Sequence, residues 1–408
     1  MSDAPTTPSL TTSHRWALVA VASLAMALSF LERQTLSVLA PTVTKALGLS
    51  NAQYGWASSA FALAILAATP LSGFLLDRFG VRRGLFFTVL LWSLVSAAHG
   101  LAAGFGSLLL LRVLLGLTES PTTPGALHVV RSALPPADVP RGIGLALTGP
   151  TLGFVGALFV AVALEQRFGW RSAFVGVAAV SAAWLPLWAA LTWGPKARQI
   201  LEPPRGPSVS AWSALSHPAV VRAVVFTFSM APLIAFFSHW WVKFLAERFA
   251  LPQADLASYG FLAPVAYDVG AIVFGDLASR ARRRGGLRLE EALLAFGCLL
   301  AAANALTSLQ SSPWFAVLVG SIGAFGAGGA FALCNAGALS AVPGGQVSRA
   351  AAMIATSFQL GSVIANPLIG WSIDRTGSYT LALAVPPLLI VPGAAIWLLL
   401  GRRARRKG

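Results

Sequence analysis

The chain has 408 residues, 56% hydrophobic and only 11% charged, with a mean hydropathy of +0.73 and a formal net charge of +15. Ordinary soluble domains carry roughly 25% charged residues, so this composition excludes a soluble globular protein and implies a membrane one. The positive charge does not indicate nucleic acid as a partner, because the basic residues fall in short stretches between apolar runs; Cys298 and Cys334 lie inside apolar runs and offer neither a disulfide framework nor metal spacing.

Residues 1–14 form a polar, Pro/Ser/Thr-rich tail expected to be disordered. The tail lacks the basic start and small-residue cleavage site of a signal peptide, so the first apolar run reads as a permanent span. Apolar runs of about 20 residues, the length that crosses a bilayer, occur twelve times: 16–40, 53–76, 84–103, 107–130, 142–164, 172–193, 218–244, 257–279, 289–309, 313–340, 350–372 and 379–401. An all-α integral membrane fold of twelve transmembrane helices is therefore expected. Two six-helix bundles, 15–193 and 218–401, flank a proline-rich linker at 194–217, and a basic tail occupies 402–408. An even number of spans puts both termini on one side. That side collects Arg78, Arg82, Arg83, Arg131, Arg141, the cluster from Arg280 to Arg288 and the tail, which identifies it as the cytoplasm. The tail is expected to meet anionic lipid headgroups.

Glu32 and Arg33 interrupt the first span about two turns before Pro41. They either snorkel to the interface or work, Arg33 receiving an anion and Glu32 titrating. The fourth span carries Arg112, Gly116 and Glu119 at i, i+4 and i+7, one polar stripe on a helix. A charge at mid-bilayer costs about 2.5 to 3.5 kcal/mol even on an insertion scale, so such residues face a protein interior or a wet cavity. Glu119 is read as a proton site tuned by Arg112, about 10.5 Å away along the helix.

Between the second and third spans, Gly73-Phe-Leu-Leu-Asp77-Arg78-Phe-Gly80-Val-Arg82-Arg83-Gly84 resembles the loop motif G-x-x-x-D-R-x-G-R-[RK] of the major facilitator superfamily, departing from it at Val81 and Arg82. The resemblance implies conformational gating by Asp77, Arg78, Gly80, Arg82 and Arg83, with Arg141. An internal repeat fits: Leu152-Gly153 and Arg167-Phe-Gly169 recur 208 residues later as Leu360-Gly361 and Arg375-Thr-Gly377. The loop motif has a degenerate copy at Gly275-Asp276 to Arg284, where Asp276 stands in for the missing acid.

Six further stretches together resemble the anion:cation symporter family, which includes hexuronate and aldonate transporters and sialin. They are Glu32-Arg33-Gln-Thr-Leu-Ser, Gln53-Tyr54-Gly55-Trp56, Arg112-x3-Gly116-x2-Glu119-Ser-Pro, Gly169-Trp170-Arg171-Ser-Ala-Phe, Pro264-x3-Asp268-x-Gly270 and Asp374-Arg-Thr-Gly-Ser-Tyr379. The resemblance implies uptake of a small organic anion by proton symport, with Glu32 and Glu119 as protonation sites, Arg33 on the substrate carboxylate and Arg112 holding Glu119. The longer Glu32 stands where sugar-acid members usually have Asp. The second span, Ala62-Leu-Ala-Ile-Leu-Ala67, lacks their tyrosine and glutamine, which favours a smaller or more apolar acid.

The second half offers Asp268, about 16 Å into its span, as a proton site or a structural partner. His239 and Lys243 could gather an anion, and Trp240 and Trp241 read first as interface anchors, with Trp240, like Arg112 of the fourth span, also a candidate substrate-binding residue. Tyr54, Tyr267, Asn335, Gln359 and Asn366 are polar groups at membrane depth that either hydrogen-bond between helices or line the substrate path. Two alternatives are a proton-driven exporter, from the partial glycine-proline pattern Gly149-Pro150-Thr-Leu-Gly153, and a transporter-like sensor that binds an anion without moving it. No nucleophile, metal cluster or phosphate loop suggests an enzyme, no cofactor beyond a coupling proton is implied, and a monomer is expected.

Overall fold

A computed structural model describes residues 10–201, 217–283, 287–342 and 347–405. The start of the N-terminal tail, most of the 194–217 linker and the last residues of the basic tail lie outside the described residues. So do the side chains of Asp77, Arg282, Arg288, Arg402, Arg403 and Arg405.

The elements are helices. In chain order they are α1 (Thr12–Val38), α2 (Ala40–Ala46), α3 (Asn51–Phe79), α4 (Val81–Ala98), α5 (Phe105–Glu119), α6 (Thr122–Ala133), α7 (Val139–Leu147), α8 (Gly149–Ala182) and α9 (Trp184–Thr192). There follow α10 (Pro195–Ile200), α11 (Pro218–Ala235), α12 (Trp241–Phe249), α13 (Leu256–Gly260), α14 (Leu262–Arg283), α15 (Leu287–Ala302), α16 (Pro313–Ser340), α17 (Val347–Thr376) and α18 (Thr380–Arg405). Helix covers each of the twelve expected apolar runs. Nine stretches among the described residues are long and apolar enough to cross a membrane. One of the nine, Arg141–Thr192, contains two of the expected runs, and the run at 107–130 is divided between α5 and α6, of 15 and 12 residues, each short of a span.

By contacts the chain divides into two compact units. The first comprises the described residues of Met1–Thr35, Ala64–Ala102 and Leu110–Pro207; the second comprises those of Leu36–Leu63, Ala103–Leu109 and Ser208–Gly408. The helices α1, α3 and α5 thus contribute to both.

Within the first unit, glycine lets α8 lie against α1. A Cβ at Gly153 would stand 2.2 Å from the Ala27 carbonyl oxygen, so the two backbones are in contact. Trp184 and Trp188 stack at 5.0 Å and send their indole N–H groups to the carbonyls of Val21 (2.7 Å) and Arg82 (2.9 Å). Within the second unit, Gly361 meets the Ala231 side chain of α11 in the same way, at 2.5 Å from a built Cβ. The pairing of α14 with α16 is closer still: Gly328 would place a Cβ 1.9 Å from the Tyr267 carbonyl oxygen, and Gly270 one 2.0 Å from that of Phe325. Small residues at both faces let dispersion accumulate where no hydrophobic drive exists between membrane helices.

The repeat is visible in the backbone. Gly169 (φ 81°) and Gly377 (φ 64°), 208 residues apart, both adopt the left-handed conformation at the junction of two helices, which only glycine takes without strain.

Glycine substitutions should separate close packing from mere helix propensity. Gly153→Ala is expected to lower the thermal unfolding midpoint of detergent-solubilised protein, because backbone must move. Gly106→Ala, where a Cβ meets nothing within 4 Å, should leave it unchanged or raise it, Ala favouring helix over Gly by about 1 kcal/mol.

A buried acid and arginine in the first unit

The α5 helix ends at Glu119, and the sequence explains why. Pro121 and Pro124 follow, and proline supplies no N–H and crowds the residue before it. The hydroxyl of Thr122 donates to the Glu119 carbonyl at 2.7 Å, satisfying a backbone group the break has released. The Glu119 side chain is buried, at 0% exposure, against α1. There the Arg33 guanidinium donates to Oε2 from Nη2 at 3.0 Å and from Nε at 3.4 Å, and Ser29 Oγ donates to the same oxygen at 2.8 Å. Oε1 is buried and accepts no hydrogen bond. Ser29 and Arg33 stand one turn apart on α1, so one helix face supplies all three donors. Arg33 is 17% exposed and lies over the Phe30 ring at 4.1 Å.

The guanidinium that bonds Glu119 is therefore Arg33's, not Arg112's. Helical side chains lean toward the N-terminus of their helix, which carries Arg112 away from a residue two turns later. Arg112 is 1% exposed, and its charge acts across space on both Glu119 and His99. Glu32 faces elsewhere. It is 1% exposed, and Ser96 Oγ of α4 donates to its Oε2, so snorkelling to an interface is ruled out.

The second unit holds the remaining candidates. Tyr54 and Trp240 are fully buried and meet edge to face at 5.0 Å. The Tyr54 hydroxyl donates to the His239 carbonyl at 2.5 Å, and Trp240 Nε1 donates to Asn366 Oδ1 at 3.1 Å. His239 Nδ1 lies 3.3 Å from Ser37 Oγ. Both His239 and Trp240 belong to a π-helical turn, Phe236–Trp240, just after Pro232; proline inside a helix disturbs the ladder there. Neither Trp240 nor Trp241 anchors an interface, since both are 0% exposed. Trp241 packs instead between Phe237 and Phe244, over Gly320. Tyr267, Asp268, Asn335 and Gln359 are half-buried. Asn335 donates to the Phe331 carbonyl of its own helix at 2.8 Å, and Tyr267 and Phe358 flank Phe331 at 6.5 and 5.9 Å.

One network in this unit went unread in the sequence. Ser50 and Gln53 form a reciprocal capping box at the start of α3, the Ser50 N–H donating to Gln53 Oε1 at 3.0 Å and the Gln53 N–H to Ser50 Oγ at 3.1 Å. The Asp374 carboxylate takes the two remaining N–H groups, of Asn51 (3.0 Å) and Ala52 (2.8 Å), at the positive end of the helix dipole. Lys243, also buried, donates to Asn51 Oδ1 at 2.8 Å and pairs with Glu247, which in turn accepts from the Tyr379 hydroxyl at 2.6 Å. The S-x-x-Q pattern at 50–53 was the available signal. An open cavity of about 610 Å³ lies beside it, lined by Lys45, Asn51, Lys243 and Glu247 among others.

Of the loop motif, Gly80 (φ 77°) is the single residue between α3 and α4, which fixes that tight turn. Arg78 and Arg83 are exposed, and Arg82 lies 5.2 Å from the Trp193 ring. Arg141 is exposed and pairs with Asp138 at 3.4 Å, and Asp276 of the degenerate copy pairs with Arg280 at 2.7 Å.

A family model described as Major Facilitator Superfamily matches residues 22–302. The chain belongs to the major facilitator superfamily. It is a multi-pass membrane transporter of the bacterial inner-membrane type, not an enzyme. The transporter is 25% identical over 322 residues to the hexuronate transporter of Bacillus subtilis (strain 168), covering 73% of this chain and 76% of the relative. It is 26% identical over 403 residues to a probable sulfoacetate transporter of Cupriavidus necator, covering 93% and 92%. Among solved structures, a bacterial homolog of the human lysosomal transporter Spinster, inward-facing and unoccupied, superposes with a TM-score of 0.81 at 20% identity, over 96% of this chain and 98% of that one. That likeness establishes the fold alone.

The ion pair makes a stability prediction for this superfamily member. Arg33→Ala strands a buried carboxylate, a change that typically costs about 3–5 kcal/mol, and should lower the thermal midpoint sharply. Adding Glu119→Gln to that variant should restore most of the loss.

Proposed function

We propose that the protein is a proton-coupled symporter that takes up a small organic anion, with Glu119 as the coupling acid and Arg33 as the anion's ligand. The arrangement of Ser29, Arg33 and Glu119 carries this reading. A wholly buried carboxylate holds a guanidinium that retains some solvent access, and one guanidinium fork cannot serve two carboxylates fully at once. When Glu119 is ionised, Arg33 is committed to it. A proton on the unpartnered Oε1 neutralises the acid and releases Arg33 for the carboxylate or sulfonate of a substrate. Proton and anion then bind with positive linkage. Discharge of the proton returns Arg33 to Glu119 and expels the anion.

The named substrates of the relatives, hexuronate and sulfoacetate, support an organic anion as cargo. The apolar second-span sequence favours a compact or less hydroxylated one. Twelve crossings in two six-helix bundles, both termini in the cytoplasm, gating by the 73–84 loop, lipid contact by the basic tail and a monomeric unit complete the proposal. The helical cover of all twelve apolar runs and the bias of Arg and Lys among loops support this topology.

Flux into proteoliposomes tests the reading with a panel of sugar acids, short carboxylates and sulfonates. An inside-alkaline gradient should drive accumulation of at least one; export down that gradient, or binding without flux, would replace symport with an exporter or a sensor. Glu119→Gln should keep counterflow of the anion while abolishing its accumulation and the pH dependence of its affinity. Continued uphill accumulation by that variant would remove Glu119 from the coupling step.

A further inference from the structure

A serine or threonine buried inside a helix can donate to the carbonyl four residues back, and two buried hydroxyls of α1 do so. Ser23 donates to the Val19 carbonyl and Thr35 to that of Leu31, each at 2.8 Å. Ser29, 1% exposed on the same helix, departs from this pattern. Its Oγ donates across to Glu119 Oε2 of α5 at 2.8 Å, and Arg33 Nη2, one turn further along α1, donates to that Oγ at 3.4 Å. A guanidinium can only donate and an ionised carboxylate can only accept, so the hydroxyl hydrogen points at Glu119. Ser29 thus stands between the cation and the anion of the pair, bonded to each.

Glu119 is the last residue of α5, where the helix dipole opposes a negative charge, so its carboxylate depends on donors from outside its own helix. Those donors are unevenly placed: Ser29 and two N–H groups of Arg33 converge on Oε2, and none reaches Oε1. The two kinds of donor also differ in reach. The guanidinium sits at the end of a long side chain that is 17% exposed, whereas the hydroxyl hangs by a single carbon from the α1 backbone and is closed from solvent. In the proposed cycle a proton on Oε1 frees Arg33 for the anion, and the N–H groups that served Oε2 leave with it. Ser29 cannot follow. Its hydroxyl remains as the donor to Oε2, now the carbonyl oxygen of a neutral acid that would otherwise be buried and unsatisfied, a costly condition for any acceptor.

We propose that Ser29 is a positioning residue of the coupling site, its hydroxyl holding Glu119 Oε2 through both protonation states and so keeping the carboxyl in place for Arg33 to return. The inference rests on the proton-coupling reading above and adds to it the group that holds the acid while its cation is engaged elsewhere. The serine carries no proton between groups; its hydrogen stays on Oγ throughout. What it alters is the balance between the two states. Without the hydroxyl, the empty protein still has two N–H groups of Arg33 on Oε2, and the loaded protein has no donor there. Loss of Ser29 Oγ therefore penalises the loaded state more and weakens the anion's hold on the protonated protein.

The test compares Ser29→Ala with Ser29→Thr, which returns a hydroxyl on the same carbon, and with Ser23→Ala, which removes a hydroxyl bonded within its own helix. Infrared spectra of the reconstituted full-length protein, titrated with acid, are read at the carbonyl band of protonated Glu119, identified by its loss in Glu119→Gln. A hydrogen bond lowers a carbonyl stretch, so this band should move to higher wavenumber in Ser29→Ala, return in Ser29→Thr and stay in place in Ser23→Ala. Binding of glucuronate or sulfoacetate at acid pH should weaken about tenfold in Ser29→Ala, the scale of one buried acceptor left unsatisfied, and recover in Ser29→Thr. An unmoved band, or binding as tight as in the wild type or tighter, would overturn the proposal. So would equal effects in Ser23→Ala, which mark packing alone. If the wild-type protein shows no gradient-driven uptake, the coupling reading fails, and the infrared band still decides the hold of Ser29 on Glu119 by itself.

Discussion

A charge kept away from water must be given something in exchange, and the first unit is organised by that requirement. Glu119 receives a guanidinium and a hydroxyl from one face of α1, at the place where two prolines end α5. Glu32, one residue from Arg33 in sequence, faces hydroxyls of α4 and α8 and no cation bonds it. The two acids thus live under different rules: ionising Glu119 is repaid by an ion pair, and ionising Glu32 only by hydrogen bonds.

The second unit uses its polar groups differently. Tyr54, Trp240 and Asn366 are buried and bonded to one another or to backbone, so their hydrogen-bonding capacity goes largely to holding helices together. Asp374, Asn51, Lys243, Glu247 and Tyr379 form a chain of charges and amides around the start of α3. There the helix dipole, the capping box and a buried lysine are satisfied at once.

The fold was largely legible because membrane helices announce themselves by length and apolarity, and because Gly169 and Gly377 mark the repeat that the backbone carries as two left-handed turns. The site was legible in kind more than in pairing. Arg33, Glu32, Arg112 and Glu119 stood out as charges in apolar runs, and all four share the first unit. Which arginine bonds Glu119 depended on side-chain direction, which spacing along one helix cannot supply when the true partner is on another. The two tryptophans at 240–241 were misread because an aromatic near a span's end looks the same whether it meets headgroups or a neighbouring helix. Ser29 and Ser96 gave no signal at all: a lone serine in a helix acquires meaning only when an acid of a neighbouring helix meets it.

The helices α1 and α3 pass from one compact unit into the other, near Thr35 and Leu63. Compactness and chain continuity therefore do not coincide in this protein. A fragment beginning at Ser208 would carry Asp374, Lys243 and Glu247 but not the helix start they hold, and would leave those groups to water or lipid. The charged end of the second half is thus completed by a segment that the chain supplies from its first hundred residues.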